Sequence, residues 1–174
     1  FGAKYSNPST AHPGGSWTTV DFTDDNSILI ASSENSPYIN AWNWDNNTGF
    51  GSKLSNPSTL PGGSGRKVQL NPAETFVAMA AGNSSVQMYA WSSSGFGAKK
   101  STPSGDPNAD GLAWSPSGNH LAVASRDGNL RVYHVDSNGS FGTLRVFTTS
   151  SMGQAGGCGW SPAGNAVGVA HFSG

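Results

Sequence analysis

Cysteine is almost absent from this chain. Cys158 stands alone, so no disulfide can form within the sequence and its redox compartment stays open. Charge is scarce as well: nine Lys and Arg face ten Asp and Glu, for a formal net charge of −1. No basic run interrupts that balance, which excludes the electrostatic footprint of a nucleic-acid binder or of a protein held on an anionic membrane. No apolar run approaches the roughly 18 residues that a membrane-spanning helix requires, so no membrane insertion is expected. The first residues lack a charged region followed by an apolar core, and any export would depend on something outside this stretch of chain. Helix-period patterning is missing too. So are the compact catalytic signatures: there is no G-x-S-x-G elbow, no P-loop and no G-x-G-x-x-G. The four histidines, His12, His120, His134 and His171, fall in different repeats and loops without zinc-ligand spacing, and no cofactor is expected.

What the chain has instead is turn formers and repetition. It contains 24 Gly and 10 Pro. A Phe-Gly pair opens four segments, at Phe1-Gly2, Phe50-Gly51, Phe96-Gly97 and Phe141-Gly142, spaced 49, 46 and 45 residues apart. Phe1-Gly-Ala-Lys-Tyr-Ser-Asn-Pro-Ser-Thr10 is matched by Phe50-Gly-Ser-Lys-Leu-Ser-Asn-Pro-Ser-Thr59 and more loosely from Phe96. A period in the mid-forties with four strands per unit predicts an all-β propeller of four-stranded antiparallel blades.

Within each repeat the strands are read from period-two columns. Val20, Val68, Leu112 and Cys158 form one column of an inner strand, and Phe22, Leu70, Trp114 and Trp160 form the next. Cys158 is thereby expected to act as a small buried apolar residue. A four-residue turn follows: Thr23-Asp-Asp-Asn26, Asn71-Pro-Ala-Glu74, Ser115-Pro-Ser-Gly118 and Ser161-Pro-Ala-Gly164. Pro in second place presets φ, and Gly or Asn in fourth place tolerates a left-handed backbone. The second strand carries Leu29, Val77, Leu121 and Val167, and the third an aromatic column of Trp42, Tyr89 and Tyr133 that is expected to pack between blades. The Phe-Gly segment supplies the outer strand.

These motifs resemble the WD40 family. Ser115-Pro-Ser-Gly118, His120-Leu-Ala-Val-Ala-Ser125, Asp127-Gly128 and Leu130-Arg-Val-Tyr133 are similar to the family's S-P-D-G, L-A-S-G-S, D-G-T and V-R-L-W succession, and Trp44-Asp45 stands at the Trp-Asp position. The Gly-His pair that precedes the inner strand in the family is missing. The Phe-Gly-x-Lys-x-Ser-Asn-Pro segment resembles WD40-like arrays of phage virion and bacterial surface proteins. The resemblance covers essentially the whole chain, with repeats at about 1–49, 50–95, 96–140 and 141–174, or about three and a half blades. The remaining blades are expected from a longer polypeptide or from a second copy, since an unclosed disc leaves apolar faces bare.

Site candidates are few. Asp106-Pro-Asn-Ala-Asp-Gly111 fits the opening of a calcium loop through Asp106, Asn108 and Asp110, but Ser117 stands where the closing acid belongs, and an ordinary Asx-rich turn is preferred. Trp17 and Tyr38 are candidate exposed aromatics for ligand contact. The expected function is therefore a non-catalytic binding or structural propeller, extracellular or virion-associated, that contacts a protein or glycan and is not an enzyme. An intracellular WD40 scaffold is the second reading. A propeller hydrolase or lactonase, with Asp21 and Asp110 near the axis, ranks last.

Overall fold

The computed structural model of the chain describes residues 2, 4–9, 16–82, 84–103, 108–148 and 153–172, with the side chains of Trp17 and Thr148 set aside. Blade 1 comprises β1 (Trp17–Phe22), β2 (Ile28–Ser33), β3 (Ile39–Asp45) and β4 (Gly49–Lys53). Blade 2 comprises β5 (Ser64–Leu70), β6 (Phe76–Gly82), β7 (Gln87–Ser92) and β8 (Gly95–Lys99). Blade 3 comprises β9 (Ala109–Trp114), β10 (His120–Ser125), β11 (Asn129–Val135) and β12 (Phe141–Thr148), and the fourth sheet holds β13 (Gln154–Trp160) and β14 (Val167–Phe172). Each sheet is a simple antiparallel meander in chain order. The chain is thus all-β, with about three and a half propeller blades.

The repeated turn forms as its sequence predicts. The amide of the fourth residue donates to the carbonyl of the first in all four copies: Asn26 to Thr23 at 2.8 Å, Glu74 to Asn71 at 2.8 Å, Gly118 to Ser115 at 2.9 Å and Gly164 to Ser161 at 2.8 Å. That fourth residue is left-handed each time, with φ of 56°, 50°, 72° and 70°. The first residue's side chain closes the hairpin by accepting the amide five residues on, as from Ile28 to Thr23 Oγ1 at 3.0 Å and from Phe76 to Asn71 Oδ1 at 2.8 Å.

The recurring Phe-Gly pair also has a physical cause. Phe50 meets Trp42 and Trp44 edge to face at 5.8 and 5.2 Å, Phe96 meets Tyr89 and Trp91 at 6.1 and 5.1 Å, and Phe141 meets Tyr133 at 5.7 Å. The ring therefore pins the outer strand onto the third-strand aromatic column. The glycine lets the two strands close up: a Cβ at Gly51, Gly97 or Gly142 would stand 3.1 to 3.3 Å from Asn43, Ala90 or His134. The outer strand expected at the start of the chain does not appear, because the described residues of the first Phe-Gly segment carry no strand. Tyr5 nevertheless packs on Trp44, and its hydroxyl donates to the Asn46 carbonyl. It lies against the left-handed Gly49 just as Leu54 lies against Gly95 and Lys100 against Gly139.

Burial is arranged between blades. Ile28, Ile30 and Ile39 pack against Val68, Val77, Met79 and Tyr89 of blade 2. Phe76, Ala78 and Met88 pack against Leu112, Trp114, Leu121 and Tyr133 of blade 3. Ala122, Leu130 and Val132 pack against Cys158, Trp160, Val167 and Val169. The small residues of β6 and β10 keep neighbouring sheets close. Val20 departs from its column: it is 52% exposed whereas Val68 and Leu112 are 2% and 0% exposed, since it faces away from blade 2. Trp114 is 5% exposed in the core between blades 2 and 3, and its replacement by Ala is expected to cost about 3 to 5 kcal/mol in urea denaturation. A loss below about 1 kcal/mol would contradict this placement.

Candidate active site at the end of the channel

The inner strands β1, β5, β9 and β13 lie side by side but are separate sheets, so their inward backbone groups need side-chain partners. Blades 1 and 2 supply them. Thr19 Oγ1 accepts the Val68 amide at 2.8 Å, and Asp21 Oδ2 accepts the Leu70 amide at 2.8 Å while its Oδ1 accepts the Phe22 amide at 3.0 Å. Gln69 Oε1 likewise accepts the Trp114 amide at 3.2 Å. At the corresponding places in β9 stand Gly111 and Ala113, and a Cβ on Gly111 would meet Gly157 Cα at 2.8 Å. The third and fourth inner strands therefore approach through backbone. Trp160 Nε1 adds one tie, donating to the Ala113 carbonyl at 3.0 Å.

Where the inner strands run into the first hairpin turns, a cavity of about 570 Å³ opens. Its polar lining includes Asp21, Asp24, Lys67, Gln69 and Glu74, and its apolar lining includes Phe22, Trp114 and Trp160. Burial raises the Asp21 pKa above the ordinary carboxyl value, opposed by the Leu70 and Phe22 amides and by the positive charge of Lys67. Cys158 also reaches the cavity, but burial pushes its thiol up to about 11, so it is protonated at neutral pH and cannot serve as a thiolate nucleophile. Beside an ammonium, a carboxylate of raised pKa can take a proton from water while the cation supports developing negative charge.

The opposite end of the inner strands carries ions engaged with each other. Arg66 reaches Glu34 at 3.1 Å and Asp110 at 3.9 Å, and Arg126 reaches Asp110 at 2.8 Å. Asp110 is thus committed to arginines and lies away from Asp21, so the pair named for a hydrolase does not converge. Of the calcium candidates, Asp106 lies outside the described residues, Asn108 precedes β9, and among the described residues no group of three His, Cys, Asp or Glu could hold a metal. The Trp17 side chain lies outside the described set. Tyr38 is half-buried, with φ of 67°, and packs against the core between blades 1 and 2. Glu74 and Lys67 were not singled out by sequence reasoning, since each lies in a different repeat from Asp21. His120 and His134 face each other across β10 and β11 with ring centroids 5.5 Å apart, lining a second cavity of about 500 Å³ between blades 3 and 4. His171 is the penultimate residue of β14, with Nδ1 3.3 Å from the Gly153 carbonyl oxygen, and does not line the axial cavity.

The chain carries WD40-like propeller repeats: the family profile for the WD40 domain of anaphase-promoting complex subunit 4 matches residues 68–151. No curated protein matches the sequence. Solved structures do. A candidate 6-phosphogluconolactonase from Bacteroides uniformis superposes with a TM-score of 0.76 at 14% identity, over 98% of this chain and 52% of that one. The periplasmic gluconolactonase of Pseudomonas aeruginosa gives 0.75 at 20% identity, over 97% and 51%. A candidate 6-phosphogluconolactonase from Bacteroides fragilis gives 0.64 at 15% identity, over 80% and 40%. The chain therefore spans about half the length of the structures it matches. At these identities the likeness shows the fold.

These neighbours overturn the expectation of a non-catalytic binding or structural propeller that is not an enzyme. They are propellers named for lactone chemistry, and they favour the reading ranked last from sequence. Compact motifs misled because a propeller's inner wall is assembled from separate strands of separate repeats.

A structural ion pair at the turn between β10 and β11 gives a pH test of the fold. Asp127 accepts from Arg131 at 2.9 and 2.5 Å, and these bonds lower its pKa to about 2. A depressed carboxyl pKa contributes stability above the unfolded value of about 3.9 and loses it as pH falls toward the folded value. Asp127→Asn is expected to lower the melting temperature at pH 7, with the gap to wild type closing as pH falls from about 4 to about 2 in thermal melts.

Proposed function

We propose that this chain forms about half of a propeller lactone hydrolase working outside the cytoplasm, with the axial cavity as its active site. The observation that carries this reading is Asp21: a half-buried carboxylate of raised pKa, influenced by Lys67, in a cavity beside the axis of a fold shared with lactonase-named propellers. The periplasmic name of one neighbour supports the location, and the share of the neighbours left uncovered supports further blades that complete the ring.

In this reading Asp21 takes a proton from water as the water oxygen bonds to the lactone carbonyl carbon. Lys67 stabilises the negative charge that forms on the carbonyl oxygen. Collapse of that intermediate breaks the ring C–O bond as the proton held by Asp21 passes to the leaving oxygen, and the product is the open hydroxy acid. Gln69 and the Leu70 and Phe22 amides hold the cavity wall and the carboxylate in place.

Hydrolysis of D-glucono-1,5-lactone, followed by proton release with the protein in its native ring, tests the assignment. Asp21→Asn is expected to lower kcat by about 10² to 10⁴, the contribution of a positioned general base. The wild-type rate should rise with pH through an inflection above the ordinary Asp value of 3.8, because the base works deprotonated and burial raises its pKa. Full activity in a folded Asp21→Asn variant would rule the assignment out.

A further inference from the structure

Glu74 occupies a backbone conformation that its side chain does not favour. The equivalent residue of the other three turns is Asn26, Gly118 or Gly164, types that adopt a left-handed backbone readily, whereas Glu74 sits there with φ of 50°. The turn itself does not need a carboxylate, since its hydrogen bonds form as well around glycine. A bulky residue kept at such a φ points to a role outside the local fold. The Glu74 side chain leaves its own blade, and Oε1 accepts the Asp24 amide of blade 1 at 2.5 Å, across the mouth of the axial cavity.

The mouth is consequently acidic. Asp21, Asp24 and Glu74 line it, and Lys67 is the one basic side chain among the described lining residues. The other arginines near the inner strands, Arg66 and Arg126, are engaged with Glu34 and Asp110 at the far end. A phosphate dianion approaching this mouth meets net repulsion, whereas a hydroxyl-bearing neutral ring finds carboxylate and amide acceptors beside the apolar Phe22, Trp114 and Trp160.

We propose that Glu74 is a specificity residue that makes this cavity select an uncharged sugar lactone and reject its phosphorylated counterpart, an inference that rests on the lactone-hydrolase reading for its ligand class. Two of the neighbours are named for the phosphorylated lactone and one for the unphosphorylated. The charge lining this cavity matches the latter.

The test is a calorimetric titration of the native protein with 1,5-anhydroglucitol and with its 6-phosphate, non-hydrolysable rings that differ only by the phosphoryl group. The uncharged ring should bind about tenfold more tightly or better at low ionic strength, with the preference shrinking as salt is added. Glu74→Gln and Glu74→Gly should each cut that preference several-fold. Glu74→Gly places in this turn the residue found at positions 118 and 164, so the relief of the left-handed strain offsets the lost Asp24 bond and the variant should still fold cooperatively in thermal melts. Equal or tighter binding of the 6-phosphate, a preference unchanged in both variants, or no binding of the uncharged ring at millimolar concentration would each overturn the proposal. Selective binding without lactone hydrolysis would instead sink the hydrolase reading and leave the charge selection standing.

Discussion

A propeller blade has two apolar faces, and neither can be buried within the blade itself. Everything else in this chain follows from that constraint. The alternation along β2, β6 and β10 sends Ile28 and Ile30 to one neighbour while Leu29 and Ala31 point to the other side, and the same split recurs in Val77 and Met79 against Ala78 and Ala80. Sheets that must meet on both sides read as nearly continuous apolar runs such as Phe76-Val-Ala-Met-Ala-Ala81, in which small residues set the spacing and large ones fill it. The exposure of Val20 shows the same rule from its other side: an identical column position is wet when no described blade covers it.

Near the axis the constraint changes character. Blades diverge outward and converge inward, so the inner strands come close without forming a common sheet. Their amides are satisfied by Thr19, Asp21 and Gln69 in the first two blades, whereas backbone meets backbone at Gly111 and Gly157 in the last two. Of these groups Asp21 and Gln69 also face the cavity, so structural and chemical roles coincide in those two side chains. Asp21 is the clearest instance, holding two amides while lining open space.

Much of the fold was legible in the sequence because it is written in repeats. The inner strands that carry the columns from Val20 to Cys158 and from Phe22 to Trp160, the left-handed fourth turn residue and the aromatic column of Trp42, Tyr89 and Tyr133 lie where period and turn chemistry place them, with Val20 the exposed exception. The site was less legible for a physical reason. Lys67 and Glu74 come together with Asp21 only through the packing of adjacent blades, about one repeat apart in sequence, and each alone reads as an ordinary polar residue at a strand end or turn. The pairing of His120 with His134 was illegible in the same way, since strand register brings them together where linear spacing does not. Asp110 was misjudged because its arginine partners, Arg66 and Arg126, belong to other strands and loops.

The clamp formed by Tyr5, Leu54 and Lys100 on Gly49, Gly95 and Gly139 puts the written repeat out of phase with the folded blade. A unit that starts at Phe-Gly gives its first strand to one blade, lays its fifth residue on the next, and spends its remaining three strands there. Each such unit is therefore a covalent bridge across an interface. Growth by duplication of that unit lengthens the arc by one blade and tethers it across the new interface in the same event, so each added blade meets its neighbour as an intramolecular partner.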